Sequence, residues 1–136
     1  MSVEFVDTNI FVYANDGSAG SRHIASIKLL ADIWARRAGA LSTQVLAEFY
    51  AVAIRKLHMA SEEAEEAIRP LNIWTIHQAG HADILSAIRL QRRHQLSWWD
   101  AMVVNSAIQT DARILWTEDL NHGERFGNLV VQNPFV

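Results

Sequence analysis

Val3-Glu4-Phe5-Val6-Asp7-Thr8-Asn9-Ile10 is the stretch on which the fold turns. Val3 to Val6 is short and rich in β-branched residues, as a buried strand is. It runs straight into Asp7-Thr8-Asn9, a turn and helix-cap signal. Ile10 to Ala14 then reads as a short helix. A strand that hands over to a helix within three residues is the opening of an alternating α/β chain.

The alternation repeats outward from there. Asn15 to Gly20 is a loop. A helix is predicted over 21–38, with an apolar stripe of Ile24, Ile27, Leu30, Ala31 and Trp34, and Gly39 stops it. A brief strand follows at 40–42. Ser42 or Thr43 caps the next helix, which runs to about His58. Ser61 caps another, with Glu62 and Glu63 in its first turn, where the helix dipole favours acids, and Pro70 closes it. A strand is expected over 72–76 and a helix over 78–94, its stripe carried by Ile84, Leu85 and Ile88. Ser97 caps a helix to Gln109, and strands over 113–116 and 129–131 complete the pattern. Strands alternating with helices imply a parallel sheet covered on both faces. The expected fold is a three-layer α/β/α domain with a central, mainly parallel sheet, one domain over residues 1–136.

Composition narrows the class. The 136 residues are 50% hydrophobic and 20% charged, which is ordinary globular composition. No apolar run reaches the roughly 18 residues that span a bilayer. No secretory signal is visible at the start, and cysteine is absent, so a disulfide framework and thiolate metal sites are excluded. A soluble, cytoplasmic protein is expected. Twelve basic and fifteen acidic residues give a net charge of −3, unlike a pure nucleic-acid-binding module. An enzyme that gathers carboxylates in one pocket remains compatible with that charge.

Four acids stand at informative places. Asp7 lies at the carboxyl end of the first strand, the edge where open α/β sheets bind ligands, although a simple helix cap would also explain it. Glu48 is the only charged residue between Leu41 and Ile54, in a helix apolar nearly all round. Such a helix is expected to be buried, and a buried glutamate needs an arginine, a donor cluster or a metal. Asp100 opens the apolar stretch Ala101-Met102-Val103-Val104, and Ser97-Trp98-Trp99-Asp100 also fits a capping box. Asp119 follows the strand Ile114-Leu115-Trp116, with Glu118 competing for its role and an ordinary polar turn as the plain alternative. In an α/β sandwich all four acids can converge on one sheet edge. At about 4 Å and an effective dielectric near 20, each pair would repel by roughly 4 kcal/mol. Protons or a divalent cation must then neutralise the cluster. All-oxygen ligands favour Mg²⁺ or Mn²⁺ over zinc, and such a site suits metal-assisted phosphodiester hydrolysis.

The ordered segments Val6-Asp7-Thr8-Asn9-Ile10-Phe11-Val12-Tyr13, Ser42-Thr43-Gln44-Val45-Leu46-Ala47-Glu48-Phe49-Tyr50, Trp99-Asp100-Ala101-Met102-Val103-Val104-Asn105-Ser106-Ala107 and Leu115-Trp116-Thr117-Glu118-Asp119-Leu120 resemble those of PIN-domain proteins. Within that family the chain looks like the VapC-type toxins of toxin–antitoxin pairs. Each motif is short; the set of four in order is specific and covers essentially the whole chain. The resemblance implies a Mg²⁺-dependent ribonuclease whose acids fall on Asp7, Glu48, Asp100 and Asp119. Asp7 and Asp100 would be direct metal ligands, and Glu48 and Asp119 would complete the shell. Thr8, Asn9 and Thr117 fall on the family's hydroxyl and amide companions. It also implies a homodimer and a VapB-type antitoxin partner. Competing readings are a PIN nuclease acting in RNA processing or on DNA, and a catalytically silent module that keeps the fold.

RNA would need a grip besides the acids. Candidate contacts are Arg22, His23, Arg36, Arg37, Arg55, Lys56, Arg89, Arg92, Arg93 and His94, several of which also suit helix C-termini. Trp98 and Trp99 are adjacent, so one is expected to pack while the other stacks on a base, joins a subunit interface or stands partly exposed. His77 and His81 lack the spacing partners of a metal site.

Overall fold

A computed structural model describes residues 2–136. The strands are β1 (Val3–Val6), β2 (Gly39–Ser42), β3 (Thr75–His77), β4 (Ala112–Trp116), β5 (Arg125–Phe126) and β6 (Leu129–Gln132). The helices are α1 (Thr8–Ala14), α2 (Ser21–Arg36), α3 (Thr43–Arg55), α4 (Ser61–Ile68), α5 (His81–His94) and α6 (Trp98–Gln109). The strands form one six-stranded sheet in the order β3-β2-β1-β4-β6-β5. Every pairing is parallel except the β5–β6 hairpin. β1 and β2 are buried almost throughout, which requires helices on both faces. The expected three-layer α/β/α architecture is therefore the one observed.

The core is built on Phe5 and Val6 of β1, Leu41 of β2, Leu115 of β4 and Val131 of β6, with Ile10, Ile33, Val45, Phe49 and Val104 supplied by the helices. Local chemistry sets the helix starts. Asp7 Oδ1 accepts from Thr8 N–H at 2.7 Å, so α1 begins at Thr8, two residues earlier than its apolar pattern indicates. Ser42 Oγ accepts from Val45 N–H and caps α3. Ser97 Oγ accepts from Asp100 N–H and caps α6.

Several expectations need correction. α2 ends at the left-handed Arg37, and Gly39 belongs to β2. Its requirement there is space: a Cβ on Gly39 would overlap the indole of Trp74. Ser61 does not cap α4; Ala60 holds that position, and Glu63 accepts from its N–H at 3.0 Å. The third strand is β3 at 75–77 rather than 72–76, because Pro70 starts a 3₁₀ turn over Arg69–Ile73. α5 starts at His81, where Asp83 accepts from Gly80 N–H. The short antiparallel β5 was not expected.

The apolar stripes point mostly away from the core, although Leu30 of α2 packs against it. Ile24, Ile27 and Trp34 of α2 stand exposed, while Ser26 and Ile33 face inward. Ile84, Leu85 and Ile88 of α5 stand exposed, while Ala87 packs on Ala101 and Met102 of α6. α3 is not buried all round: Val45, Phe49 and Ala53, at four-residue spacing, meet the core and Tyr50 faces out. Among the described residues no helix is long and apolar enough to cross a membrane.

Candidate metal centre

The chain steps from β1 to β2 and β3 on one side, then returns to place β4 on the other side of β1. That reversal opens a crevice beyond the carboxyl ends of β1 and β4, the place where open α/β sheets bind ligands. Asp7 follows β1 and Thr117 follows β4. α3 starts at the carboxyl end of β2 and carries Glu48 in its second turn. α6 leads into β4 from the same edge, so its first turn brings Asp100 there.

Asp7 is 5% exposed. Its Oδ1 takes the Thr8 N–H, and its Oδ2 takes the Thr117 hydroxyl at 2.9 Å. Burial pushes its carboxyl up to about 7; those two hydrogen bonds oppose the rise, and the charges of Asp119 and Glu48 add to it. Thr117 is fully buried and joins three residues: its Oγ accepts from Asn9 Nδ2 at 3.2 Å and from Asp119 N–H at 3.1 Å while donating to Asp7. Asn9 Nδ2 also reaches Asp119 Oδ2 at 3.1 Å. The Asp119 carboxyl is pushed up by burial first, then by Asp100, Glu118 and Glu48, against the Asn9 hydrogen bond.

Glu48 is half-buried, not sealed in the core. Its Oε2 accepts from Thr8 Oγ1 at 3.1 Å and its Oε1 from Gln44 Nε2 at 3.0 Å. Gln44 is the partner that sequence reasoning missed; its place four residues before Glu48 on the same helix was the available signal. Asp100 has its N–H capped by Ser97, but its carboxylate does not return the bond that would close a capping box.

Glu118 faces a different neighbourhood. Tyr13 donates its hydroxyl to Glu118 Oε1, and Arg22 Nε donates to Oε2 at 3.1 Å. The carboxylate in turn pushes the Tyr13 phenol up. Of the adjacent pair, Asp119 is the one tied to Asn9 and Thr117.

None of Asp7, Glu48, Asp100 and Asp119 forms an ion pair with a described residue. The partners of Asp7, Glu48 and Asp119 among the described residues are neutral donors. Two further oxygens at the same place, Asn9 Oδ1 and Gln44 Oε1, are buried without a hydrogen-bond partner. Carboxylates lacking a counter-charge, beside orphaned amide oxygens, make a donor set that fits a hard divalent cation. Among the described residues, no three acidic or histidine side chains stand as close together as a closed ligand set requires. Asp7, Glu48 and Asp119 each rest on hydroxyl or amide donors, while the Asp100 carboxylate takes no hydrogen bond from a described residue.

Elsewhere, Trp98 packs beside Leu90 and Leu96, and Trp99 is 61% exposed. His77 contacts Ser106 Oγ and Asp83 rather than His81. Glu62, Glu63, Glu65 and Glu66 are exposed.

The family model described as the PIN domain matches residues 5–125. No curated protein matches the sequence. Among solved structures, Mycobacterium tuberculosis VapC20, a Sarcin-Ricin loop cleaving toxin, is 19% identical, with 82% of this chain and 86% of that one covered at a TM-score of 0.65. A toxin–antitoxin complex from Klebsiella pneumoniae is 21% identical over 98% of both chains, with a TM-score of 0.66. VapBC2 from Rickettsia felis, bound to a DNA fragment from its promoter, is 24% identical over 96% of this chain and 98% of that one, at 0.63.

Proposed function

The chain belongs to the PIN-domain family, and from that premise we propose that it is a Mg²⁺-dependent endoribonuclease, the toxin of a toxin–antitoxin pair. The observation that supports this reading is that Asp7, Glu48 and Asp119, with Asp100 close enough to raise Asp119, share the carboxyl edge of the sheet and pair with no basic side chain among the described residues. A purely structural site would gain nothing from that repulsion.

Asp7 and Asp100 are assigned as direct ligands of Mg²⁺, which Mn²⁺ could replace, and Glu48 and Asp119 complete the shell. The bound cation would supply charge neutralisation at the phosphate and acidify a water molecule. The chain's own residues do the rest. Thr8 and Thr117 fix both oxygens of Asp7. Thr8 and Gln44 hold the two oxygens of Glu48 in place. Asn9 holds Asp119 by Oδ2 alone, and Asp119 lines the open cavity at this edge. Its Oδ1 is the atom we assign to take the proton from the attacking water, as a new bond forms to phosphorus and the bond to the leaving oxygen breaks. Trp99, exposed one residue before Asp100, offers a base a stacking face.

An antitoxin and a second copy of the chain are assigned as partners. The support is two separate apolar surfaces, Ile24, Ile27 and Trp34 on α2 and Ile84, Leu85 and Ile88 on α5, which a lone protomer leaves in water. With no spanning helix in the described chain, the proposed setting is the cytoplasm, where the RNA is. The test is cleavage of RNA with Mg²⁺ present. Asp7→Asn and Asp100→Asn should each abolish it, and full activity in both would end the reading.

A further inference from the structure

A cavity of about 450 Å³, lined by Glu48 and Asp119 of the four acids, extends past them between α1 and α3, which pack on each other. Each helix lends it one face. From α1 come Asn9, Val12 and Tyr13, at three- and four-residue spacing, and Asp16 follows just past the helix end. From α3 come Glu48 and Val52, with Lys56 four residues further on at the helix C-cap, and Leu57 closes the wall. Each stripe thus begins at the candidate metal centre, passes an apolar stretch and ends on a charge. Eight residues of helix rise place Lys56 about 12 Å along α3 from Glu48.

We propose that this groove holds the nucleotide beside the cleaved bond of a single-stranded RNA, with the base against Val12, Val52 and Leu57 and a phosphate on Lys56 Nζ. The proposal rests on the ribonuclease reading and adds to it the residue that grips. An acid-lined cavity repels a phosphodiester, so a cation must hold the strand close by. Among the described residues Lys56 is the one basic side chain lining the cavity, and it forms no ion pair or side-chain hydrogen bond with any of them. Asp16, on the same cavity, forms no ion pair with Lys56; its Oδ1 accepts from the N–H and hydroxyl of Ser18.

The other basic candidates are placed for different work. Arg22 is committed to Glu118, and Arg36 to Glu4 and Asp32. Arg93 and His94 line a separate cavity at the amino-terminal ends of β4 and β6, the opposite edge of the sheet. The wall opposite Lys56 is rigid: the Tyr13 ring meets Phe135 edge to face at 5.3 Å, and the Arg22 guanidinium lies 5.8 Å from its centroid. A preformed apolar slot loses little entropy on binding a planar base.

The test uses the full chain. Cleavage of a single-stranded oligoribonucleotide is followed with Mg²⁺, and binding of the same strand to protein held in chelator, where the proposed metal-dependent cleavage stops, is followed by fluorescence anisotropy. Lys56→Gln should raise KM and the oligonucleotide's Kd roughly tenfold, with kcat within about twofold and the slope of log affinity against log salt smaller by about one. Lys56→Arg should restore all three. Lys56 is exposed, so Lys56→Gln should keep the wild-type melting temperature. Wild-type cleavage with KM, Kd and salt slope unchanged in Lys56→Gln would overturn the groove and leave the nuclease standing. Lys56-dependent binding without wild-type cleavage would support the groove and remove the nuclease. An effect of Lys56→Gln confined to binding of a protein partner, with RNA affinity intact, would also overturn it.

Discussion

Thr117 Oγ donates to Asp7 Oδ2 at 2.9 Å across the seam between β1 and β4, joining residues 110 positions apart. Parallel pairing sets that contact: Val6 lies opposite Trp116, so the residues following both strands meet beyond the sheet edge. The same hydroxyl accepts from Asn9 and from the Asp119 backbone. One buried oxygen therefore orders three of the residues at the candidate metal centre.

Thr117→Val keeps the shape and removes that oxygen. It leaves an Asp7 oxygen, the Asp119 N–H and part of the Asn9 amide without their partner. The expected loss is about 1–3 kcal/mol in urea unfolding, with RNA cleavage reduced as well. Thr117→Ser should recover most of both.

The buried carboxyl of Asp7 makes metal-free stability depend on pH. Its ordinary value is 3.8 and burial raises it to about 7. In the unfolded chain the proton leaves near 4; in the folded chain it stays until about 7. The stability linked to that proton is complete below 3.8 and is lost as pH rises through about 7. At about 1.36 kcal/mol per pH unit the loss is on the order of 4 kcal/mol. The melting temperature of protein held in chelator should fall across this window. Asp7→Asn should flatten the fall and melt several degrees higher than wild type at pH 8, while cleaving no RNA. A Mg²⁺ site at Asp7 should flatten it too when the cation is added.

Glu118 and Asp119 should separate cleanly under substitution. Asp119→Asn is expected to lower cleavage about a hundredfold or more. Glu118→Gln loosens Tyr13 and Arg22, which hold it, and should stay within a few fold of wild type. Equal losses in both would contradict the assignment.

Gly39→Ala tests a point of close packing away from the acids. Its new methyl meets the Trp74 indole, itself wedged against Phe11 and Trp34. The expected cost is about 1–3 kcal/mol, read by urea unfolding and by a change in tryptophan fluorescence.

Much of this arrangement can be read from the chain. Val3–Val6 followed by Asp7 announces a strand ending at a cap, and Ser42 and Ser97 mark helix starts because their hydroxyls serve the next turn. The alternation then implies the parallel sheet, and the sheet implies a shared edge for the acids. What escaped depends on neighbours. Periodicity identifies an apolar face of α2 and of α5 but not what covers it, and Ile24, Ile27, Ile84 and Leu85 face solvent in the single chain. The all-round apolar character of α3 concealed a single core stripe, which is why Glu48 is half-open. β5 has two residues, too few for any period, and is held by its hairpin with β6. At the site, the acids and their threonine and asparagine companions could be named in advance. Gln44 could not, because its task appears only when the helix sets it beside Glu48.

The central claim is that these four carboxylates share one dication. Mn²⁺ titration followed by electron paramagnetic resonance at pH 7.5 tests it without RNA. Saturable binding should weaken tenfold or more in Asp7→Asn and in Asp100→Asn and remain intact in Glu118→Gln. Absence of saturable binding, or binding undiminished in both aspartate variants, would contradict it.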